Sequence, residues 1–342
     1  MKKITIVGVD LSKHAFQIHG AAADGSVVFH RKLSRSQFPK FMSEQPSCIV
    51  AMEACSTSHY WAREMERAGH KVKLIAPIYV KPFVKRQKND AADAEAIVEA
   101  ALRSNMRFVP AKSAQTQARA MLFRTREQLI GQRTEALNAL RGHLAEFGLI
   151  APRGVANLVR LAALVENPES DLPDVARDIA HMYLDRIAQL ATLIDRLMMT
   201  IKEVNGASNA VNIMRSMPGV GPIWAIAIDT FAPEMNTFER GRDFSAWLGL
   251  TPRQHSTGGK QRLGRTSKMG QRDIRRLLII GAMSRIASAQ RYKRAAEPWL
   301  QDKLNRKPRM VAAIALASKM ARQIWAMLTK GERYNLPVAT TA

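Results

Sequence analysis

The sequence is poor in cysteine and has no long apolar run. Cysteine occurs only at Cys48 and Cys55, which is too few for a disulfide framework or a cysteine-rich zinc site and is typical of a reducing cytoplasm. No apolar stretch is long enough for a membrane helix, and the start at Met1-Lys2-Lys3 lacks the apolar core of a signal peptide. We therefore expect a cytoplasmic protein with no membrane partner.

Acidic residues are also scarce relative to basic ones. The chain has 52 Lys and Arg against 29 Asp and Glu, and its formal net charge is +23. Such a surface favours nucleic acids, because neutralising their phosphates releases counterions. The charge predicts a polyanionic partner but does not distinguish a catalyst from a binding protein.

The length of 342 residues suits two or three domains, and the sequence pattern changes twice. Strand and helix patterns alternate in 1–112, long helical patterns fill 113–206, and 207–342 is mainly helical. In the first region three strand patterns precede helix, strand, helix, strand and helix. This order predicts an RNase H-like α/β fold, which by itself does not give a function.

Four carboxylates fall at informative positions in the first region. Asp10 and Glu53 each follow an apolar run at the end of a predicted strand, whereas Asp90 and Asp93 share one face of a predicted helix. Carboxylates are preferred ligands of Mg²⁺, and two such ions roughly 3.5–4 Å apart assist phosphoryl transfer. We predict a Mg²⁺ site formed by all four acids. The alternative is that they only cap or begin helices.

A basic stretch stands directly before Asp90 and contains Lys85, Arg86 and Lys88. These side chains are suited to holding a phosphate backbone near the metal site. A solvated loop explains the stretch equally well.

Two long helical patterns follow in 113–206. The second has apolar residues at alternating steps of three and four, which predicts a coiled coil. These residues are Ala180, Tyr183, Ile187, Leu190, Ile194, Leu197, Ile201 and Val204. The partner is either the first long helix or another copy of the chain.

Residues 217–221 read Met-Pro-Gly-Val-Gly, the form of a helix-hairpin-helix turn. Glycines at 219 and 221 let backbone N–H groups approach a phosphate. The basic charge favours DNA contact through Gly219 and Gly221 over a plain turn between two helices.

A hydroxyl pair, Ser256 and Thr257, stands directly before two glycines. Cations surround this pair at Arg253, Lys260, Arg262, Arg265 and Lys268. A hydroxyl in this setting suits nucleophilic attack on a phosphate, because the cations stabilise the developing charge. His255 is the candidate base, and spacing alone favours a simple phosphate-binding loop.

The motifs together resemble those of the DEDD transposases of the IS110 insertion-sequence family, in particular its IS1111 branch. The resemblance extends from Ile6 to about Leu328 and rests on motifs that occur in the family's order. They are V-G-V-D-L-S-K, A-M-E-A, K-N-D-A-A-D-A, M-P-G-V-G and G-L-T-P-R-Q-H-S-T-G-G-K-x-R-L-G-R-x-S-K-x-G.

This resemblance implies a RuvC-like domain in 1–112, a coiled-coil region in 113–206 and a C-terminal transposase domain in 207–342. It implies that Asp10, Glu53, Asp90 and Asp93 bind the metal and that a serine attacks DNA, under the guidance of a structured bridge RNA. It also implies assembly into dimers and tetramers on the element ends and target, which places the protein at the nucleoid.

The nucleophile is either Ser256 or Thr257. In relatives with a single serine before the glycine, an ungapped match puts that serine at Thr257. We favour Ser256, because its primary hydroxyl is less hindered than the secondary hydroxyl of threonine.

Two other functions fit the sequence. A RuvC-like endonuclease would cut branched DNA with metal-activated water and would need no serine. A non-catalytic nucleic-acid-binding protein would keep the carboxylates only as relics.

Overall fold

The computed structural model describes residues 3–84, 90–206, 208–291 and 297–335. The chain divides into two compact units, Met1–Gln117 and Ala118–Ala342. The first unit is a mixed α/β unit built on one sheet, and the second is helical apart from one β-hairpin. This architecture is consistent with the predicted RNase H-like fold followed by helical regions.

The sheet of the first unit has six strands in the order β3-β2-β1-β4-β5-β6. The strands are β1 (Ile6–Asp10), β2 (Ala15–Ala21), β3 (Val27–Ser34), β4 (Ile49–Glu53), β5 (Lys71–Ile75) and β6 (Phe108–Val109). β1, β2 and β3 form the predicted antiparallel meander, and β4 and β5 continue the sheet parallel to β1. The short β6 pairs antiparallel with β5, and the sequence pattern does not indicate it.

Helices cover both faces of this sheet. They are α1 (Gln37–Ser43), α2 (Ser58–Arg67), α3 (Pro77–Val80) and α4 (Asp90–Ala101). Val7 and Val9 of β1 share a buried cluster with residues of α1 and α2, whereas Ile6 shares a different cluster with residues of α4. Because side chains alternate along a strand, the even-numbered residues of β1 face α4.

Two long helices pack on each other within the second unit. α5 (Ala114–Ala145) begins at the end of the first unit, and α7 (Asp174–Gly206) follows the shorter α6 (Leu158–Glu166). The rings of His143 and Tyr183 lie 5.7 Å apart, and Arg126 Nε lies 2.9 Å from Met198 Sδ. The two contacts show that the helices are antiparallel.

The apolar seam of α7 is covered by this packing. Ala180, Ile187, Leu190, Ile194 and Ile201 are buried inside the single chain. Ala180 and Ile187 share a cluster with residues of α5 and α6. Of the two partners considered for the seam, the first long helix is therefore the one that covers it here.

The remaining helices surround the largest core of the chain. They are α8 (Asn209–Arg215), α9 (Pro222–Phe231), α10 (Gly241–Trp247), α11 (Arg272–Arg291), α12 (Pro298–Arg306) and α13 (Arg309–Lys330). Among the described helices, α13 alone is long and apolar enough by composition to cross a membrane. However, its residues Leu316, Ala317 and Met320 are completely buried in the core of this unit.

Candidate functional site

Asp10 and Glu53 end two neighbouring parallel strands. The register of β1 and β4 pairs Gly8 with Ala51 and Val9 with Met52, so the next step brings Asp10 beside Glu53. Both are half-buried and, by the alternation of side chains, both lie on the sheet face that α4 covers. The sequence prediction that strand ends bring these two acids together is consistent with this register.

Asp93, in the first turn of α4, lies near enough to Glu53 to affect its ionisation. Burial raises the pKa of the Glu53 carboxyl group, and the nearby Asp93 carboxylate raises that pKa further. A cation beside Glu53 would offset both effects and stabilise its ionised form.

The close approach of α4 depends on Gly8. A Cβ atom at Gly8 would lie 2.6 Å from Val98 Cγ2 and closer still to the Ala94 carbonyl oxygen. A methyl group does not fit in this space, so only glycine lets α4 lie against β1 and bring Asp93 to the strand ends. The sequence motif contains this glycine, but its role requires knowing which helix packs on it.

The carboxyl oxygens of Asp10, Glu53 and Asp93 are the donor type that Mg²⁺ prefers, and the raised pKa of Glu53 fits a cation there. Asp90 begins α4, but its side chain lies outside the described part of the structure, as do Lys85, Arg86 and Lys88. Within the described part of the chain, no group of three or more His, Cys, Asp and Glu side chains is arranged as a metal site. The four-ligand site is therefore still a prediction.

Ser256 and Thr257 lie near the tip of an exposed β-hairpin. Its strands are β7 (Pro252–Gln254) and β8 (Leu263–Thr266). Thr257 and Lys260 exchange two backbone hydrogen bonds of 3.3 and 3.0 Å around the turn at Gly258 and Gly259. Both glycines have positive φ, 53° and 74°, as a two-residue type I′ turn requires. The sequence suggested a loop here and did not indicate the strands.

The register of the hairpin separates the two hydroxyl groups. Gln254 pairs with Leu263 and Thr257 with Lys260, so Ser256 lies opposite Gln261. Because neighbouring residues face opposite sides, Ser256 shares its face with Gln254, Gln261 and Leu263.

Thr257 lies on the other face of the hairpin. It shares that face with His255, Lys260 and Arg262, all of which are exposed. The imidazole of His255 packs over Gly264, where a Cβ atom would lie 3.0 Å from the ring. His255 is thus directed away from Ser256, and the hairpin does not form a serine–histidine pair.

Two further glycines and an arginine hold the foot of the hairpin. Gly249 and Gly270 have positive φ, and a Cβ atom at either would lie within 3.0 Å of the opposite backbone. Arg275 donates hydrogen bonds to the carbonyl oxygens of Leu248 and Met269, at 3.0 and 3.3 Å. Both glycines belong to the sequence motif that begins at Gly249 and ends at Gly270, but their role depends on contacts between segments about twenty residues apart and could not be assigned from the sequence.

The other predicted cations and glycines are placed as follows. Arg253, Arg265 and Lys268 are exposed on or beside the hairpin.

Gly219 and Gly221 are exposed in the turn between α8 and α9. Gly219 has a φ of 86° and packs closely on Gly281 of α11, whereas the space beside Gly221 is open. The structure thus gives Gly219 a packing role and leaves the predicted DNA contact at this turn untested.

Two family models match the chain. A model described as the transposase IS116/IS110/IS902 family matches residues 211–297, which include the hairpin. A transposase model of the DEDD IS110 type matches residues 7–148, which include Asp10, Glu53, Asp90 and Asp93.

Several proteins are similar over nearly their whole length. A "Probable family 20 transposase" of Pseudomonas aeruginosa is 44% identical and covers 96% of this chain and 98% of its own. The transposase for insertion sequence element IS1328 of Yersinia enterocolitica is 37% identical, over 97% of this chain and 98% of its own. The transposase for insertion sequence element IS1111A of Coxiella burnetii is 35% identical, over 98% of this chain and 92% of its own.

Proposed function

The chain belongs to the IS110 family of insertion-sequence transposases, and on that basis we propose that it cuts and rejoins DNA through a covalent serine intermediate. The observation that supports the proposal is that the candidate residues fall into two separate groups. One is the strand-end acids Asp10 and Glu53 with Asp93 beside them, and the other is the exposed hairpin with Ser256. A metal-dependent nuclease needs only the first site, and a binding protein needs neither.

In the proposed reaction, Ser256 Oγ attacks the phosphorus of a DNA phosphodiester. The Ser256 Oγ–P bond forms as the bond from phosphorus to the 3′ oxygen breaks. The serine gives up its hydroxyl proton, and the leaving oxygen takes up a proton to become a free 3′-hydroxyl group. Attack of a 3′-hydroxyl from the exchanged strand on the phosphoserine then rejoins the DNA and restores Ser256.

The proposed metal ligands are Asp10, Glu53, Asp90 and Asp93. When bound there, Mg²⁺ would supply the positive charge that polarises the scissile phosphate and stabilises the attacking and leaving oxygens. The residues around Ser256 on its own face of the hairpin, Gln254, Gln261 and Leu263, are uncharged. Arg265, two residues beyond Leu263 in β8, places a positive charge farther along the same face.

We include in the proposal that the acids of one subunit act with Ser256 of another, in a dimer or tetramer. The family resemblance supports this arrangement. A structured bridge RNA encoded with the element is the proposed guide to the DNA sites. The net charge of +23 supports binding of both nucleic acids.

Substitution of the acids tests the proposal. Asp10→Asn or Asp93→Asn should abolish strand cleavage but leave DNA affinity nearly unchanged, because each removes a ligand oxygen and leaves the basic surface intact. Asp178→Asn, at an exposed position on α7, is the matched control and should cleave normally. Normal cleavage by Asp10→Asn or Asp93→Asn would exclude the carboxylate site from the reaction.

A further inference from the structure

Three arginines recur at seven-residue intervals along α5. They are Arg119, Arg126 and Arg133, and because seven residues are about two helical turns, they follow one face of the helix. Arg119 is at one end of this row and Arg133 is at the other. The three arginines differ in how many carboxylates form ion pairs with them.

Arg119 forms an ion pair within the fold, although its Nε, like that of Arg133, has no hydrogen-bond partner among the described residues. Its Nη1 lies 2.6 Å from Asp229 Oδ2 of α9, and both side chains are largely buried. One guanidinium and one carboxylate neutralise each other, so the charge at this end of the row is balanced.

The next arginine shares its carboxylate with another helix. Arg126 Nη1 lies 2.8 Å from Glu127 Oε1, and the second oxygen of Glu127 pairs with Arg276 of α11. A single carboxylate therefore serves two guanidinium groups. Arg126 also directs its Nε at Met198 Sδ, an uncharged and weak acceptor.

Arg133 has no acidic partner in the described part of the structure. Its Nε is buried and has no hydrogen-bond partner among the described residues. Among the described residues, Glu127 is the only carboxylate that forms an ion pair with any of Arg126, Arg133 and Arg276. Burial, followed by the charges of Arg133 and Arg276, lowers the pKa of the Arg126 guanidinium, as expected for cations that repel one another.

A cluster of this kind stabilises the free protein poorly, because desolvated like charges repel and an unpaired buried N–H loses its hydrogen bond to water. An anion that bridges the guanidinium groups removes both costs. The Arg276 side chain is half exposed, so the cluster is open to a ligand from solution. The adjacent Arg275 holds the carbonyl oxygens of Leu248 and Met269, which places the cluster near the foot of the hairpin.

We propose that Arg126, Arg133 and Arg276 bind a phosphate of the DNA backbone beside the foot of the Ser256 hairpin. The choice of DNA as the ligand rests on the proposed function. The phosphate contact would position the strand, since backbone contacts fix register without reading sequence.

The test compares Arg133→Gln and Arg133→Lys in the full-length protein. Affinity for a labelled DNA duplex is measured over a series of salt concentrations, and thermal stability is measured without nucleic acid. Arg133→Gln should weaken binding several-fold and lower the slope of log affinity against log salt by about one. It should not lower the melting temperature, because it removes a repelling charge. Arg133→Lys keeps the charge and should keep the slope.

Arg196→Gln is the matched control. Arg196 is an exposed arginine on α7, and its substitution should leave both the salt slope and the melting temperature unchanged. An unchanged salt slope in Arg133→Gln would overturn the proposal and leave Arg133 with a structural role. A slope that changes only with an RNA ligand would overturn the assignment to DNA. These are binding measurements, so a protein that binds through Arg133 but forms no serine adduct would refute the proposed reaction alone.

Discussion

Gly8 of β1 lies directly against the backbone of α4 at Ala94, in a space that has no room for a side chain. A Cβ atom at Gly8 would lie 2.6 Å from Val98 Cγ2 and nearer still to the Ala94 carbonyl oxygen. Ala94 follows Asp93, and Gly8 precedes Asp10 by two residues. The packing of one glycine therefore sets the separation between acids on two different elements.

Gly8→Ala should reduce cleavage strongly and destabilise the protein by about 1–3 kcal/mol, because α4 must move away from the sheet. Gly142→Ala is the control, since Gly142 lies in α5 with open space around it and alanine favours a helix. Cleavage rates and chemical denaturation of both variants check this. A fully active and stable Gly8→Ala protein would show that α4 does not need this contact.

Mg²⁺ should raise the melting temperature of the wild-type protein at neutral pH, because a cation relieves the repulsion between Glu53 and Asp93. Glu53→Gln should raise the melting temperature of the metal-free protein and remove most of the response to Mg²⁺. Glu53 has a raised pKa in the folded state, so its ionised form weakens the fold above that pKa and the penalty disappears at lower pH. Differential scanning calorimetry with and without Mg²⁺ measures both effects. An equal Mg²⁺ response in Glu53→Gln would place the cation elsewhere.

The purified protein should carry RNA, and its affinity for both RNA and DNA should fall steeply as salt rises, because many phosphates are contacted. Sequencing of the RNA released from the protein should recover a structured noncoding segment adjacent to the gene. Protein that carries no RNA and does not bind RNA transcribed from the element would argue for an endonuclease that acts on DNA alone.

The sheet of the first unit could be predicted from sequence because its strands have local signals. Apolar runs of β-branched residues before Asp10 and Glu53 predict buried strands, and their ends determine where the acids fall. The order of strands and helices then limits the possible topology. The role of Gly8 could not be predicted in the same way, since it depends on the helix that packs against the glycine.

The hairpin around Ser256 is a second feature that could not be predicted from the sequence. Its strands contain Pro, Arg, Gln and Gly, residues with weak strand preference, and they are exposed, so no apolar alternation marks them. Their pairing depends on the Gly258-Gly259 turn and on Gly249 and Gly270 at the foot. The surroundings of Arg133 could not be predicted either. The seven-residue spacing of the arginines is visible in the sequence, but the lack of a carboxylate partner for Arg133 is not.

Trapping and mapping the protein–DNA adduct is the direct test of serine catalysis. A DNA duplex carrying the element end is incubated with protein, Mg²⁺ and element RNA, and the products are separated under denaturing conditions. Attack by a side-chain hydroxyl leaves protein covalently joined to DNA, whereas attack by water leaves none. Trypsin cuts after Arg253 and Lys260, so one peptide carries both Ser256 and Thr257, and its fragmentation locates the phosphate. We predict an adduct on Ser256 that is lost in Ser256→Ala and retained in Thr257→Ala. An adduct on Thr257 would move the nucleophile by one residue, and cleavage without any adduct, unchanged when both hydroxyls are replaced by alanine, would contradict serine catalysis altogether.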